Sequence, residues 1–416
     1  MNVIFIAAIV AVSILLMLWR PWRLPEVVWA GSGALLLVLC RFLPWHEAGR
    51  AIAKGSDVYF FLIGMMLLPA VARENGVFDW VASLSAHAAR GSAARLFLLI
   101  YGFGTLTTIL MSNDATAVVL TPAVLATVRR AKAQPLPFLF ACAMVANAAS
   151  FVLPISNPAN LVVFSKAIPP LGSWLSSFLL PSIASIIATY AVLRWAFRED
   201  LSPALEPCQE AQPLSSAGKG TLIGLGFACI VMLSASALHW DLGVPTCLAA
   251  VAVAIWSCWR DRLSPLKLLR EVSWQTIALV AALFILVEAA ERIGALTLST
   301  RALQWADNVS RHGGPMLAGL SVALGNNVVN NLPAGLLAGA ALAASHTSPL
   351  MTRAVLIGVD LGPNLSVTGS LATILWMLEL RKEGVEMSGW QFLKMGLIAM
   401  PVALVASLLT LLVANH

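Results

Sequence analysis

The sequence predicts an all-α polytopic membrane protein, arranged as an inverted-topology repeat. Each half has five spans, one re-entrant hairpin and a broken fourth span. Three observations predict this. Apolar residues make up 59% of the 416 and charged residues only 11%, against about 25% charged in ordinary soluble domains. Ten stretches are apolar enough to be read as crossings, at roughly 20 residues per crossing. Polar breaks recur in the same order in both halves. The composition excludes a disordered chain, a disulfide scaffold and a cytosolic enzyme.

The spans fall near residues 2–19, 25–40, 56–72, 136–165, 173–195, 220–239, 243–259, 273–291, 350–378 and 390–414. Two of these, 136–165 and 350–378, exceed one crossing and are interrupted by Pro, Gly, Asn and Ser. Two further apolar stretches, 95–128 and 315–345, carry a polar break midway and are too short for two crossings. A hairpin that enters and leaves on one side fits them. Irregular backbone at membrane depth is tolerated only where protein buries it or it lines a cavity. Segments 77–92 and 295–311 have mixed character and read as amphipathic interfacial helices, with plain connecting loops as the alternative.

Charge sets the orientation. No basic residue precedes the first apolar run, and Arg20 and Arg23 follow it directly. The run therefore reads as a span rather than a cleavable signal peptide, and the N-terminus is expected outside. Tracing ten crossings from there puts 18 Lys and Arg inside and 8 outside, with both termini outside. The +6 net charge thus reports topology, and no nucleic-acid partner is expected. The first hairpin opens from the inside and the second from the outside.

The halves are 1–197 and 220–416, joined by an inside linker, 198–219, rich in Ser, Pro and Ala. Ser56 corresponds to Ser273, Gly76 to Gly294 and Asn113 to Asn330. After the hairpins the offset falls slightly, matching Asn147 with Asp360 and Ser156 with Gly369. Five crossings per half is odd, so the second half must insert upside down. Inverted repeats with broken helices are a signature of secondary transporters, whose sites lie near the midplane.

Four breaks carry the candidate chemistry. The first hairpin breaks at Met111-Ser112-Asn113-Asp114-Ala115-Thr116, and the second at Gly325-Asn326-Asn327-Val328-Val329-Asn330-Asn331-Leu332-Pro333. The first broken span turns at Pro154-Ile155-Ser156-Asn157-Pro158-Ala159-Asn160, and the second between Asp360 and Ser370, with Thr373 just beyond. Backbone groups lose their partners at a helix break. Asn, Ser and Thr can satisfy them or hold a small polar ligand. Ser112, Asn113, Thr116, Asn157, Asn160, Asn330, Asn331, Ser370 and Thr373 are the candidate substrate ligands. Capping alone explains any one break, since caps use the same residues. Four breaks in two matching pairs favour a shared polar cavity.

Acids are sparse at membrane depth. Asp114 and Asp360 are the candidate coupling carboxylates, and Asn147 is the repeat mate of Asp360. Such a carboxylate can take and release a proton, or stay charged and bind a cation. Glu288 reads as an i, i+4 partner of Arg292. Cys40, Cys142, Cys208, Cys229, Cys247 and Cys258 show no metal-ligand spacing, and no structural metal or cofactor is expected. Gly218-Lys219-Gly220-Thr221 lacks the upstream glycine of a phosphate loop.

The break motifs resemble those of the bacterial arsenite/antimonite efflux permeases over essentially the whole chain. The residues are Ser112-Asn113-Asp114-Ala115-Thr116 with Leu120-Thr121-Pro122-Ala123-Val124-Leu125, Ile357-Gly358-Val359-Asp360-Leu361-Gly362-Pro363-Asn364-Leu365 with Gly369-Ser370-Leu371-Ala372-Thr373, and Asn330-Asn331-Leu332-Pro333. That family belongs to an ion-transporter superfamily with sodium-coupled dicarboxylate carriers and sodium/proton antiporters. The dicarboxylate carriers are similar at the hairpin tips but carry Ser-Asn-Thr, where this chain has Asp114 in place of Thr. The departure favours proton coupling over transferred sodium sites. The resemblance implies export of arsenite or antimonite across a bacterial cytoplasmic membrane, driven by protons or by a soluble partner ATPase on the inside. A homodimer follows from analogy with the dicarboxylate carriers. A sodium/proton antiporter or sodium-coupled anion carrier is the alternative.

Overall fold

The computed structural model describes residues 2–19, 21–164, 168–205, 213–345 and 347–414. Arg20, Lys166 and Cys208 lie outside the described residues, as does linker stretch 206–212. The described residues form helices joined by turns, with one isolated bridge between Ser92 and Ala204 and no strand. Seven of the helices are long and apolar enough to cross a membrane. Six are expected spans. The seventh is Ala93–Leu110, the first arm of the first hairpin, whose 18 residues make it about 27 Å long at 1.5 Å per residue.

Helix starts follow local chemistry. Pro135, Pro158, Pro265 and Pro349 occupy the first helical turn, where a missing N–H costs nothing. Ser92, Ser215, Ser273 and Ser348 accept backbone N–H groups as N-caps. The amphipathic segments are helices, Val77–Ala88 and Thr297–Val309. Two short helices, Trp45–Lys54 and Pro265–Glu271, were not foreseen from hydropathy, because both are brief and carry charges.

The order of elements runs twice. Ser56–Glu74 and Trp274–Arg292 are 19 residues each, and Leu171–Ala196 and Gly389–Ala414 are 26 each. Packing between the halves is reciprocal. Glu26–Leu39 packs on Trp274–Arg292, and Ser56–Glu74 packs on Gly243–Asp261. The two 26-residue helices pack on each other.

Ion pairs repeat the pattern. Lys54 bonds Glu288 at 2.5 Å and Arg292 bonds Glu47 at 2.5 Å, tying Trp45–Lys54 to Trp274–Arg292. Arg73 pairs with Glu271, and Lys267 with Glu74 at 3.5 Å, tying Ser56–Glu74 to Pro265–Glu271. The expected Glu288–Arg292 pair within one helix is therefore corrected. Each residue finds a partner on the unforeseen short helix Trp45–Lys54 instead.

Close backbone approach holds the second half around its break. A Cβ at Gly358 would lie 2.2 Å from the Gly319 carbonyl oxygen, and one at Gly362 would lie 2.4 Å from that of Ala323. Gly313–Val329 and Pro349–Leu361 thus touch through small residues, as packed membrane helices commonly do. Elsewhere Phe140, Trp376 and Phe392 form an aromatic cluster with ring centroids 5.7–6.2 Å apart, joining the two broken spans to the last helix.

Candidate functional site

The four breaks meet. A small cavity is lined by Asn113 and Asp114 of the first hairpin tip and Asn331 and Leu332 of the second. The broken spans add Asn157 and Pro158 from the first and Ser370, Leu371 and Ala372 from the second. Every one of these residues sits at or within the first turn of a helix, counting the Asn113–Asp114 turn as the start of the second hairpin arm.

Local capping builds each corner. The Ala115 N–H donates to Ser112 Oγ at 3.2 Å. Asn157 Oδ1 accepts from the Ala159 N–H at 3.0 Å and caps Pro158–Val163. Ser370 Oγ accepts from the Thr373 N–H at 3.1 Å and lies 2.5 Å from Thr373 Oγ1. Asn330 Oδ1 faces the Leu332 N–H at 3.4 Å. Asn330 has φ 71° and ψ 151°, a region that side chains other than glycine's rarely enter.

Four helix N-termini around one space give it unpaired N–H groups and positive dipole ends. Asp114 brings the one side-chain charge among the lining residues. Among the described residues its carboxylate has no hydrogen-bond or ion-pair partner; its own N–H donates to Asn113 Oδ1 at 2.9 Å. The arrangement suits a small ligand that presents oxygens to N–H and amide donors, beside a carboxylate free to change its protonation.

Of the twelve residues singled out from sequence, Asn113, Asp114, Asn157, Asn331 and Ser370 line the cavity. The other seven stand behind it. Ser112, Asn330 and Thr373 shape the caps. Thr116 Oγ1 pairs with Thr108 Oγ1 at 2.8 Å inside the first hairpin. Asn160 turns inward and donates to the carbonyls of Ser150, Leu153 and Pro154, holding the broken backbone. Asn147 Nδ2 donates to Asn364 Oδ1 at 3.0 Å across the halves. Asp360 is fully buried, with Oδ2 2.7 Å from Ser150 Oγ and Oδ1 accepting from Asn157 Nδ2 at 2.9 Å.

Sequence reasoning missed Ser150, and it placed Asn326, Asn327 and Asn364 within the breaks without singling them out as site residues. Asn326 Nδ2 donates to the carbonyls of Gly358 and Val359, and Asn327 Nδ2 to that of Gly362. The Asn326-Asn327 pair stands in the second hairpin beside Asn330-Asn331, and its density of amides was the available signal. Among the described residues no cluster of His, Cys, Asp and Glu has metal-site geometry. No described cysteine lines the cavity.

The family profile described as Citrate transporter matches residues 14–359. A protein of Bacillus subtilis (strain 168) named putative arsenical pump membrane protein is 25% identical, covering 95% of this chain and 96% of that one. An Escherichia coli arsenical pump membrane protein is 25% identical, covering 96% of each chain. An uncharacterized transporter of Mycobacterium tuberculosis is 26% identical over 97% of this chain and 96% of its own. Among solved structures, the YdaH transporter of Alcanivorax borkumensis, described as having an unusual topology, superposes with a TM-score of 0.60. It is 14% identical, and 91% of this chain and 89% of that one are covered, so the likeness concerns the fold. With the profile matching most of its length, the chain belongs to the Citrate transporter family of membrane transporters.

Proposed function

We propose that this protein is a secondary exporter of arsenite and antimonite in a bacterial cytoplasmic membrane, coupled to inward proton movement. The observation that carries the proposal is the cavity where four breaks meet, with Asp114 facing it unpartnered. The relatives named as arsenical pump proteins, similar over nearly the whole chain, support the substrate. Arsenite at neutral pH is mostly an uncharged trihydroxide. Its three oxygens suit Asn113, Asn157, Asn331, Ser370 and the N–H groups of the first helical turns. Thiolates would hold it too tightly to release, and passage requires weak ligands.

In this reading the cavity belongs to a transport unit of hairpins and broken spans. The ion-paired helices form the scaffold. Residues 1–197 and 220–416 act as two inverted repeats. Of the two carboxyls expected to couple, Asp114 reaches the ligand. A soluble ATPase docking on the inside basic loops would add drive, and pairing of two copies follows the dicarboxylate analogy.

One observation favours a second reading. Four helix N-termini are also a ready-made anion site, and the family profile is described as Citrate transporter. The test is uptake of arsenite and of citrate into inside-out vesicles under imposed proton and sodium gradients. Proton-driven arsenite accumulation supports the first reading. Sodium-driven citrate movement without arsenite accumulation replaces it with an anion carrier.

A further inference from the structure

The two carboxyls at the breaks have opposite surroundings. Asp114 lies in the first turn of a helix, at its positive end, and faces the cavity. Asp360 lies in the last turn of Pro349–Leu361, at the negative end of the helix dipole. It is fully buried. The helices Pro135–Ala148, Pro158–Val163, Gly313–Val329 and Asn331–Ser345 pack against its helix and contain no Asp, Glu, Lys, Arg or His. The short turn Gly362–Asn364 contains none either. Gly389–Ala414 also packs there and carries only Lys394, which is exposed and stacks 5.8 Å from the Trp390 ring centre. Arg353, on the same helix as Asp360, lies seven residues, or about two turns, away. Among the described residues no cation pairs with this carboxyl.

The hydrogen bonds tell which form it takes. Ser150 Oγ lies 2.7 Å from Asp360 Oδ2 and 2.8 Å from the Asn147 carbonyl oxygen. One hydroxyl proton cannot serve two acceptors fully. A proton on Asp360 Oδ2 completes the set. Asp360 then donates to Ser150, Ser150 donates to the Asn147 carbonyl, and Asp360 Oδ1 still accepts from Asn157 Nδ2. Asn157 is thereby held from both ends, by the Ala159 N–H and by Asp360, and it lines the cavity.

We propose that Asp360 is a neutral carboxyl that donates to Ser150 and fixes the Asn157 carboxamide in the cavity wall. It is a positioning residue, and the coupling proton belongs to Asp114. The proposal rests on the transport reading above for its effect on substrate, but not for the carboxyl's protonation.

The substitution series separates the roles. In Asp360→Asn the new oxygen takes the Asn157 bond and the new NH₂ donates to Ser150, copying the neutral acid. In Asp360→Ala the Asn157 amide loses its anchor. Arsenite uptake into inside-out vesicles should show KM raised about tenfold in Asp360→Ala, with the pH profile unmoved. Asp360→Asn should restore the wild-type KM and keep the wild-type pH profile and protonophore sensitivity. A flattened pH profile or lost protonophore sensitivity in Asp360→Asn would overturn the proposal and make Asp360 a carrier. Infrared spectroscopy of the purified protein at neutral pH provides a readout without substrate. A protonated-carboxyl C=O band that is lost in Asp360→Asn and kept in Asp114→Asn is expected; its absence from the wild type would refute the assignment. If the wild type accumulates no arsenite, the transport reading fails while the infrared band still decides this proposal.

Discussion

Asn157 Nδ2 donates to Asp360 Oδ1 at 2.9 Å, joining the broken span of one half to that of the other. The same carboxamide caps a helix and lines the cavity. One residue therefore links helix start, contact between halves and site. Asn157→Ala removes an N-cap worth about 1 kcal/mol and leaves a buried carboxyl oxygen unpaired at about 1–3 kcal/mol. A lower thermal midpoint and a raised KM are expected. Asn157→Ser, which keeps the cap, should fall between Asn157→Ala and wild type in a thermal-unfolding series. Equal midpoints for the three proteins would contradict the double role.

The Lys54–Glu288 pair joins the short helix Trp45–Lys54 to Trp274–Arg292. Both side chains are partly exposed, so the pair is worth at most about 1 kcal/mol. Lys54→Glu and Glu288→Lys should each lower the midpoint, and the doubly reversed protein should regain most of the loss. A double-mutant cycle measures the coupling, and additive losses would show that the contact contributes nothing.

Gly358 has no room for a side chain against the Gly319 carbonyl. Gly358→Val should push Gly313–Val329 away from Pro349–Leu361 and release the Asn326 bonds to Gly358 and Val359. Overpacking of this kind costs about 1–3 kcal/mol or more. The expected result is poor recovery of folded protein in size-exclusion chromatography, with Gly358→Ala intermediate. Normal yield and midpoint for Gly358→Val would mean that the close approach is not needed.

Asn330 adopts a backbone conformation that glycine enters freely. Asn330→Gly relieves strain of about 1–3 kcal/mol and gives up only the long contact to the Leu332 N–H. Asn330→Ala gives up that contact and keeps the strain. The Gly variant should therefore be at least as stable as wild type and the Ala variant less stable, as thermal unfolding will report. A Gly variant less stable than Ala would show that the carboxamide, not the backbone, governs the tip.

Hydropathy made the long helices legible, because a bilayer demands long apolar runs. Paired polar interruptions made the four breaks legible, and Asn113, Asp114, Asn157, Asn331 and Ser370 stood out as residues that break or cap helices. The second layer was not legible. Ser150 and Asn364 act across more than 200 residues of chain, and nothing in a local pattern shows which buried serine meets which carboxyl. The Glu288–Arg292 reading failed for the same reason. Spacing of four allowed a pair within one helix, but the short helix Trp45–Lys54 supplied nearer partners to both residues. Asp360 looked equivalent to Asp114 in sequence, and only its hydrogen-bond partners and its place at a helix C-terminus separate them.

The central claim is that Asp114 couples proton entry to metalloid export. Inside-out vesicles with an acid interior test it most directly, with arsenite accumulation followed with and without a protonophore. The account predicts protonophore-sensitive accumulation in the wild type and none in Asp114→Asn, with both proteins present in the membrane in equal amount. Wild-type accumulation by Asp114→Asn, or sodium-dependent proton release with no arsenite accumulation, would contradict it.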